Sequence, residues 1–382
     1  MSEHSLYIGL MSGTSVDAID AALVAFNNDG TARLVATHSQ PLPANLRTEL
    51  LALSDASARV SLTNLGALDQ RTGYWFARAA NVLMHQAGVR PADITAIGSH
   101  GQTVCHQPEA TLAFSTQIGS PSRIAAETGT TVVADFRNAD MAVDGQGAPL
   151  APAFHAAFFG HATRSRAVLN VGGIANLSVI APAGTAAAPD VTGFDTGPGN
   201  ALMDAWIDDQ LSLPFDHDGQ WAAQGRVDTP LLECLRSDAF INRAPPKSTG
   251  RDHYGLAWLR SHLDQLEHTP RPVDVQTTLC RFTAETAGDA IVAYSPGNSD
   301  AILCGGGTHN PVFKAMLAER IAPRAVVTSD DFGINGDWVE AVAFSWLARR
   351  RINGDPGNAP GVTGARTPAC LGGAYLPPSG EN

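Results

Sequence analysis

Leu6-Tyr7-Ile8-Gly9-Leu10-Met11-Ser12-Gly13-Thr14-Ser15-Val16-Asp17-Ala18-Ile19-Asp20-Ala21-Ala22-Leu23-Val24-Ala25-Phe26 is the stretch from which the rest of the chain is read. Two apolar runs, 6–11 and 18–26, flank a Gly/Ser-rich turn, which predicts strand, turn and strand. Asn28-Asp29-Gly30 is a hairpin signal, and residues 32–37 read as a third strand. About 160 residues further on the opening pattern returns: 166–171, Gly172-Gly173, 175–180. One glycine-turned hairpin near the start of each half is a weak sign of duplication, and coincidence alone would also give it. No short fixed period occurs, which excludes solenoids.

Between and after these hairpins the pattern alternates. An amphipathic helix is predicted over 62–87, closed by Gly88. A strand follows at 94–98. A helix then opens on Ser120-Pro121 and closes on Gly129, with a strand at 131–134 beyond it. The second half predicts helices at 201–211, 273–294, 312–321 and 338–351, and strands at 301–304 and 325–328. Alternation of this kind means α/β, with sheets covered by helices. The polar, glycine-bearing stretch 135–148 reads as a joint, which divides the chain into lobes 1–140 and 141–365, with 366–382 as a candidate return to the first. The Gly/Pro/Asn loop 353–368 has a length typical of functional or mobile segments.

Composition removes several function classes. The 382 residues carry a net charge of −12 with no basic run, so nothing is present to displace counterions from a nucleic acid. Glycine and proline make up about 16% of the chain, below the level of low-complexity sequence. The five cysteines are scattered without a CxxC pair, against zinc ribbons and disulfide frameworks. The N-terminus lacks the cationic segment of a signal peptide, and no apolar run approaches the length of a membrane span. These features predict a soluble, reduced, cytoplasmic protein without membrane or nucleic-acid partners.

Glycine turns recur, so phosphate handling is the first chemistry to weigh. Neither GxxxxGK[ST] nor GxGxxG occurs. The turn Gly13-Thr14-Ser15, with Asp17 and Asp20, offers amides and hydroxyls to phosphate oxygens and carboxylates to a hydrated Mg²⁺, although a plain tight turn is the simpler account. Asn170-Val171-Gly172-Gly173-Ile174-Ala175-Asn176 is a second such turn. Cys304-Gly305-Gly306-Gly307-Thr308 is a third, and its glycines would let a flat base approach the backbone. Gly193-Phe194-Asp195-Thr196-Gly197-Pro198-Gly199-Asn200 puts a carboxylate on a glycine-rich bend before a helix. Asp195 there is a candidate general base, with helix capping by Asp195 or Asn200 as the alternative. Asp-Thr-Gly also matches the aspartic-protease signature, but no second copy supplies the partner carboxylate. Glu340 in the first turn of its helix complements the helix dipole. His100, Gln102, Arg137, Asp140 and Gln146 are candidates for sugar contacts, and Lys247 and Arg251 for an anion. His100 and His106 around Cys105 lack a metal-ligand spacing.

Together these strings resemble one family, the anhydro-N-acetylmuramic acid kinases of bacterial cell-wall recycling. The resemblance runs from Tyr7 to about Gly373. It rests on Met11-Ser12-Gly13-Thr14-Ser15, His100-Gly101-Gln102-Thr103, Gly145-Gln146-Gly147-Ala148-Pro149, 170–176, 193–200, Pro246-Lys247-Ser248-Thr249-Gly250-Arg251, 304–307 and Val362-Thr363-Gly364-Ala365. It implies the two-lobed sugar kinase, Hsp70 and actin architecture, an actin-like ATPase fold with the active site in the inter-lobe cleft. The implied reaction takes ATP, water and 1,6-anhydro-N-acetylmuramic acid to N-acetylmuramic acid 6-phosphate and ADP. Asp195 then matches the catalytic base and Glu340 an assisting carboxylate. Gly13, Thr14, Ser15, Val16, Asp17, Ala18, Ile19 and Asp20 match the phosphate loop, with Gly172, Gly173 and Asn176 opposite it. Gly305, Gly306 and Gly307 lie on the adenosine side. His100, Gln102, Arg137, Asp140, Gln146 and Asn170 fall to the sugar, Mg²⁺ to the ATP phosphates with Asp17 or Asp20 beside it, and the working unit to a homodimer.

Two positions depart from the family, Ala18 and Asp144, each where a glycine is usual. Ala18 would be strained if its φ were positive, and Asp144 would add negative charge near an anion site, so tuned affinity is expected. The competing functions are a conventional amino-sugar hydroxyl kinase, an Hsp70/actin-like ATPase driving a partner, and a sugar-binding regulator. No peptide-binding domain or DNA-reading segment supports the last two.

Overall fold

The computed structural model describes residues 4–13, 15–28, 30–53, 58–184, 190–250 and 253–378. The chain packs as two compact units, Met1–Phe154 with Trp338–Asn382, and His155–Asp337. The sequence division at 140/141 and 365/366 is therefore drawn elsewhere by the packing. The stretch 135–148 is folded inside the first unit, and the chain returns to that unit at Trp338.

The first unit opens with β1 (His4–Met11), β2 (Ala18–Asn27) and β3 (Ala32–Pro41), an antiparallel meander. Then come α1 (Ala44–Leu53) and α2 (Leu62–Ala87). The long helix starts where the Ser61 side chain accepts from the Asn64 N–H, and it stops at Gly88, whose φ of 66° only glycine adopts without strain. β4 (Ile94–Ser99) runs parallel to β1. The hairpin β5 (Gln102–Gln107) and β6 (Phe114–Ile118) forms a small separate sheet. Ser120 and Pro121 start α3 (Pro121–Thr128), and β7 (Val132–Ala134) adds to β4 before α4 (Phe136–Met141). Ile8, Leu10, Leu23, Phe76, Leu83 and Ile97 form its core between sheet and helices.

α5 (Ala151–Phe159) comes next, and the second unit repeats the plan. β8 (Arg166–Val171), β9 (Ile174–Ile180) and β10 (Val191–Pro198) form an antiparallel meander. Helices α6 (Ala201–Leu211), α7 (Thr229–Arg236), α8 (Leu256–Leu263) and α9 (Pro272–Tyr294) follow. β11 (Asp300–Cys304) then pairs parallel with β8, and β12 (Val326–Thr328) with β11, across α10 (Pro311–Ile321). Asn310 caps α10 by accepting from the Val312 and Phe313 N–H groups. The strand order is β10-β9-β8-β11-β12, and in the first unit β3-β2-β1-β4-β7. Both read third, second, first, fourth, fifth, so the weak echo of glycine hairpins marks a duplicated sheet.

The chain ends in the first unit with α11 (Val339–Asn353), the short α12 (Pro360–Thr363) and β13 (Gly373–Tyr375), which adds antiparallel to β7. Gly9 and Gly98 are register partners on β1 and β4. A Cβ on either would overlap the main-chain oxygen of Ala341 or Phe344. The paired glycines form a trough into which the backbone of α11 settles, and nine successive or near-successive residues of that helix are buried.

Candidate active site

In the first unit the turn after β1 is shaped by a residue that nothing in the sequence marks for strain. Val16 has φ 55° and is fully buried, while its N–H reaches Gly13 O at 3.2 Å. A β-branched residue rarely sits in this region, so the packed core holds the turn in a conformation the backbone disfavours. Ala18, by contrast, begins β2 in register with Pro41 and carries no positive φ, so its departure from the family glycine causes no strain. Val16 and Ile19 bury their side chains, which leaves their backbones as the groups a phosphate could meet. Gln102, buried, donates to Gly13 O at 3.3 Å and ties β5 to this turn. Thr14 lies outside the described residues, as do Asp29 and Arg251. Asp17 is exposed and ion-paired with Arg47 at 2.8 Å, a poor position for serving a hydrated Mg²⁺. Asp20 accepts from Ser39 Oγ at 2.8 Å and, as a half-buried carboxylate on the turn's strand, suits an outer-shell acceptor. Among the described residues no cluster of three or more His, Cys, Asp or Glu side chains stands ready for a metal.

At the far end of β4 the same unit assembles a second group. Arg137 gives two N–H groups to His100 Nε2 at 3.2 and 3.0 Å and a third to Gly147 O at 2.8 Å. A guanidinium only donates, so Nε2 accepts and the ring is neutral. Burial, with the Arg137 charge beside it, holds the His100 pKa well below the usual histidine range. Burial likewise lowers Arg137 to about 10, while the negative charge of Glu340 acts the other way. Glu340 is exposed in the first turn of α11, and Phe344 on the same helix packs on the His100 ring at 4.8 Å. His100, Arg137 and Glu340, distant in sequence, thus belong to one cluster.

Asp140, a candidate sugar contact from the sequence, is instead completely buried. Its Oδ2 accepts from Gly147 N–H at 2.8 Å, and Oδ1 from Asn358 Nδ2 at 2.7 Å and Thr363 Oγ1 at 2.9 Å. Its oxygens hold the 145–149 loop and the 358–363 segment together. The loop 353–368 is pinned there, and Gly147, whose carbonyl receives Arg137, is held at its own N–H. Gln146 has an exposed side chain and a backbone N–H on Thr363 O. Asp144 adopts φ 67° and forms an ion pair with Arg366, so the extra negative charge is compensated within the loop.

The second unit carries Asp195. It does not lie on a free bend: it is inside β10, opposite Asn176 of β9, and the ladder slips only between Asp195 and Gly197. Glycines spaced as they are here permit a bulged strand as readily as a bend. Asn176 is in turn opposite Asn170 on β8, and Asn170 opposite Cys304 on β11. Directly opposed residues share a face, so Cys304, Asn170, Asn176 and Asp195 form one polar row across four strands. Asp195 Oδ2 accepts from Thr249 N–H at 2.9 Å, and no described donor reaches Oδ1. Burial pushes its pKa up to about 6, against the opposing pull of the Thr249 N–H and the Lys247 charge. Thr249 is a contact that sequence reasoning misses, and only its place in a matched string hints at it. Lys247, in the sequence a candidate anion-binding loop cation, is buried and donates to Phe240 O at 3.1 Å and Ile241 O at 2.9 Å.

The glycine turns of this unit have specific partners. Gly172 O and Gly173 O receive N–H groups from Gly199, Asn200 and Ala201, which lace the turn to the start of α6. Asn200 does not cap that helix with its side chain, which donates to Val171 O at 3.2 Å. Gly305 and Gly307 are required by close packing on Asn170 and Val171, whereas a Cβ on Gly306 would meet only Asn200 Nδ2 at 3.5 Å. Of the three, Gly306 is the one that leaves room for a ligand.

Two successive sheets of order third-second-first-fourth-fifth, each opening on a glycine-turned hairpin, define the sugar kinase, Hsp70 and actin class of ATPase fold. The sequence profile described as anhydro-N-acetylmuramic acid kinase matches residues 5–377. The anhydro-N-acetylmuramic acid kinase of Xylella fastidiosa is 48% identical over 370 residues, 96% of this chain and 95% of that protein. Its counterpart in Xanthomonas campestris pv. campestris is 48% identical over 97% of this chain and 98% of that protein. The one from Vibrio cholerae is 45% identical over 99% and 100%. The chain belongs to the anhydro-N-acetylmuramic acid kinase family and is a carbohydrate kinase. No helix among the described residues is long and apolar enough to cross a membrane.

Proposed function

We propose that this protein uses ATP and water to open the 1,6-anhydro ring of 1,6-anhydro-N-acetylmuramic acid and to phosphorylate O6. The products are N-acetylmuramic acid 6-phosphate and ADP, as cell-wall recycling requires. Asp195 is the general base. It takes a proton from the water whose oxygen bonds to the anomeric carbon, the C1–O6 bond breaks, and O6 accepts the γ-phosphoryl group. The observation that carries this assignment is a carboxylate with a pKa of about 6, gripped at Oδ2 by a backbone N–H while Oδ1 has no described donor. Such a group is ionised at neutral pH yet basic enough to move a proton.

Glu340, next to the Arg137 charge, assists at the sugar. His100, Arg137, Gln102, Gln146 and Asn170 serve as its polar contacts, and Asp140 acts behind them by holding Gly147. The backbones of 13–20 and of Gly172 and Gly173 meet the phosphates, Asn176 stands beside them, and Gly305–Gly307 flank the adenosine. Asp20 would accept from the water shell of a Mg²⁺ bound to the ATP phosphates, which would supply charge neutralisation there. ATP as cosubstrate fits a cytoplasmic setting, and the family resemblance supports a homodimer, which light scattering tests. The deciding assay is ADP release with Mg²⁺-ATP and either the anhydro sugar or ordinary N-acetylmuramic acid. Turnover with the anhydro sugar that Asp195→Asn abolishes is expected. Turnover with the unbridged sugar alone would mean a conventional hydroxyl kinase, and sugar-independent release an ATPase.

A further inference from the structure

We infer that Lys247 is a positioning residue for Asp195: it anchors the segment that grips the carboxylate and supplies the positive charge facing it among the described residues. The inference rests on Asp195 as the base of the proposed reaction.

β10 is an edge strand of its sheet, and the segment around Lys247 covers that edge. Lys247 O accepts from Asp195 N–H at 3.1 Å, and two residues later Thr249 N–H reaches Asp195 Oδ2. The backbone of this segment therefore holds both the main chain and the carboxylate of Asp195. What holds the segment is the Lys247 side chain. Its ammonium donates to the carbonyls of Phe240 and Ile241 and sits 4.8 Å from the centre of the Phe240 ring. Those carbonyls are steadied by Asp238, which accepts from Phe240 N–H at 2.9 Å, Tyr254 OH at 3.1 Å and His253 Nε2 at 3.2 Å.

An ammonium buried with no carboxylate at ion-pair distance among the described residues is costly, and packing alone would be served as well by a methionine. The charge has a use in the second unit because Asp195 is itself desolvated. The groups facing the carboxylate from β9 and β10 are neutral, Asn176 and the main chain, and Thr286 of α9 lies near Gly197. The charges acting on Lys247 are Asp195, Arg243 and Asp238. Burial raises Asp195 and Lys247 opposes it, so removing the ammonium moves the carboxyl further up.

The test is Lys247→Met, which keeps the length and removes the charge, with Lys247→Arg as the charge-retaining control. Two readouts are taken: kcat/KM for the anhydro sugar from pH 5 to 9, and proton uptake compared between each protein and its Asp195→Asn counterpart. Lys247→Met is expected to shift the acid limb and the Asp195 titration upward by about one pH unit, cutting activity at pH 6 about five-fold relative to wild type when each is scaled to its own plateau. Lys247→Arg should keep both at the wild-type position. A limb and a titration that stay put in Lys247→Met overturn the inference. If Lys247→Met does not fold, Lys247→Gln, whose amide can still donate to the two carbonyls, takes its place with the same expected shift and the same refuting result. Proton uptake needs no turnover, so a wild-type protein inactive on the anhydro sugar would sink the functional reading alone.

Discussion

Asp195→Asn should stabilise the protein while destroying its activity. The folded carboxyl has a pKa of about 6 against an ordinary 3.8. The folded protein thus binds this proton more tightly than the unfolded chain does. Stability linked to it is whole below the ordinary value and is lost as pH rises through about 6. A rise of about two pH units in the carboxyl's titration corresponds to about 3 kcal/mol, which the ionised wild-type carboxylate forfeits at pH 8. Asparagine is neutral at every pH, and its Oδ1 can still accept from Thr249 N–H. The variant should therefore exceed wild type by about 2–3 kcal/mol from pH 8 to pH 6.5, with the gap shrinking to under about 1 kcal/mol near pH 4. Urea unfolding followed by tryptophan fluorescence across that range measures it, beside an ADP-release assay in which turnover should drop at least about 100-fold. A variant less stable than wild type at pH 8, or a gain that ignores pH, would refute the claim that desolvation sets the state of Asp195.

Three further outcomes follow from the first unit. Gly9→Ala should cost more than about 2 kcal/mol, because its methyl would overlap the Ala341 carbonyl of α11, and it should lower kcat by moving Glu340, the residue before Ala341; a thermal midpoint equal to wild type would contradict the trough. Asp140→Asn should lose about 2–4 kcal/mol in denaturant unfolding, since an amide cannot accept from Gly147, Asn358 and Thr363 together. A loss under about 1 kcal/mol in that experiment would make the knot dispensable. Asp144→Gly should leave both Michaelis constants within about two-fold and stability within about 1 kcal/mol, because relief of the positive φ offsets an exposed ion pair with Arg366. A many-fold change in KM for ATP would restore the view that its charge reaches the site.

Much of the fold can be read in the chain because its signals are local. Ser61 and Gly88 bound α2, Ser120 and Gly129 bound α3, and the periodicity between them is helical. The glycine turns mark both hairpins. Signals that depend on distant partners stay hidden. α11 looks like an ordinary helix with an acidic first turn; its place against Gly9 and Gly98, and so the company Glu340 keeps with Arg137 and His100, is a tertiary fact. Asp140 and Lys247 read as ligand contacts because polar residues in glycine-rich loops usually face outward. Their burial depends on Asn358 and Thr363 in one case and on two carbonyls near Phe240 in the other, which no spacing reveals. Chemistry picks out Asp195 but the expected conformation is wrong, since the glycines around it belong to a bulged strand.

The first unit is built from two separated pieces of chain, and a ribosome makes them at different times. When β1 and β4 have left the tunnel, α11 and β13 do not yet exist, because the whole of His155–Asp337 must be translated first. At typical elongation rates that interval is roughly ten to forty seconds. Through it, the trough at Gly9 and Gly98 presents bare sheet backbone and the buried face of β1 to the cell, while the second unit, encoded without interruption, can complete its own sheet. The first unit, although begun earlier, cannot be completed until α11 and β13 are made, whereas the second has all of its own chain by Asp337.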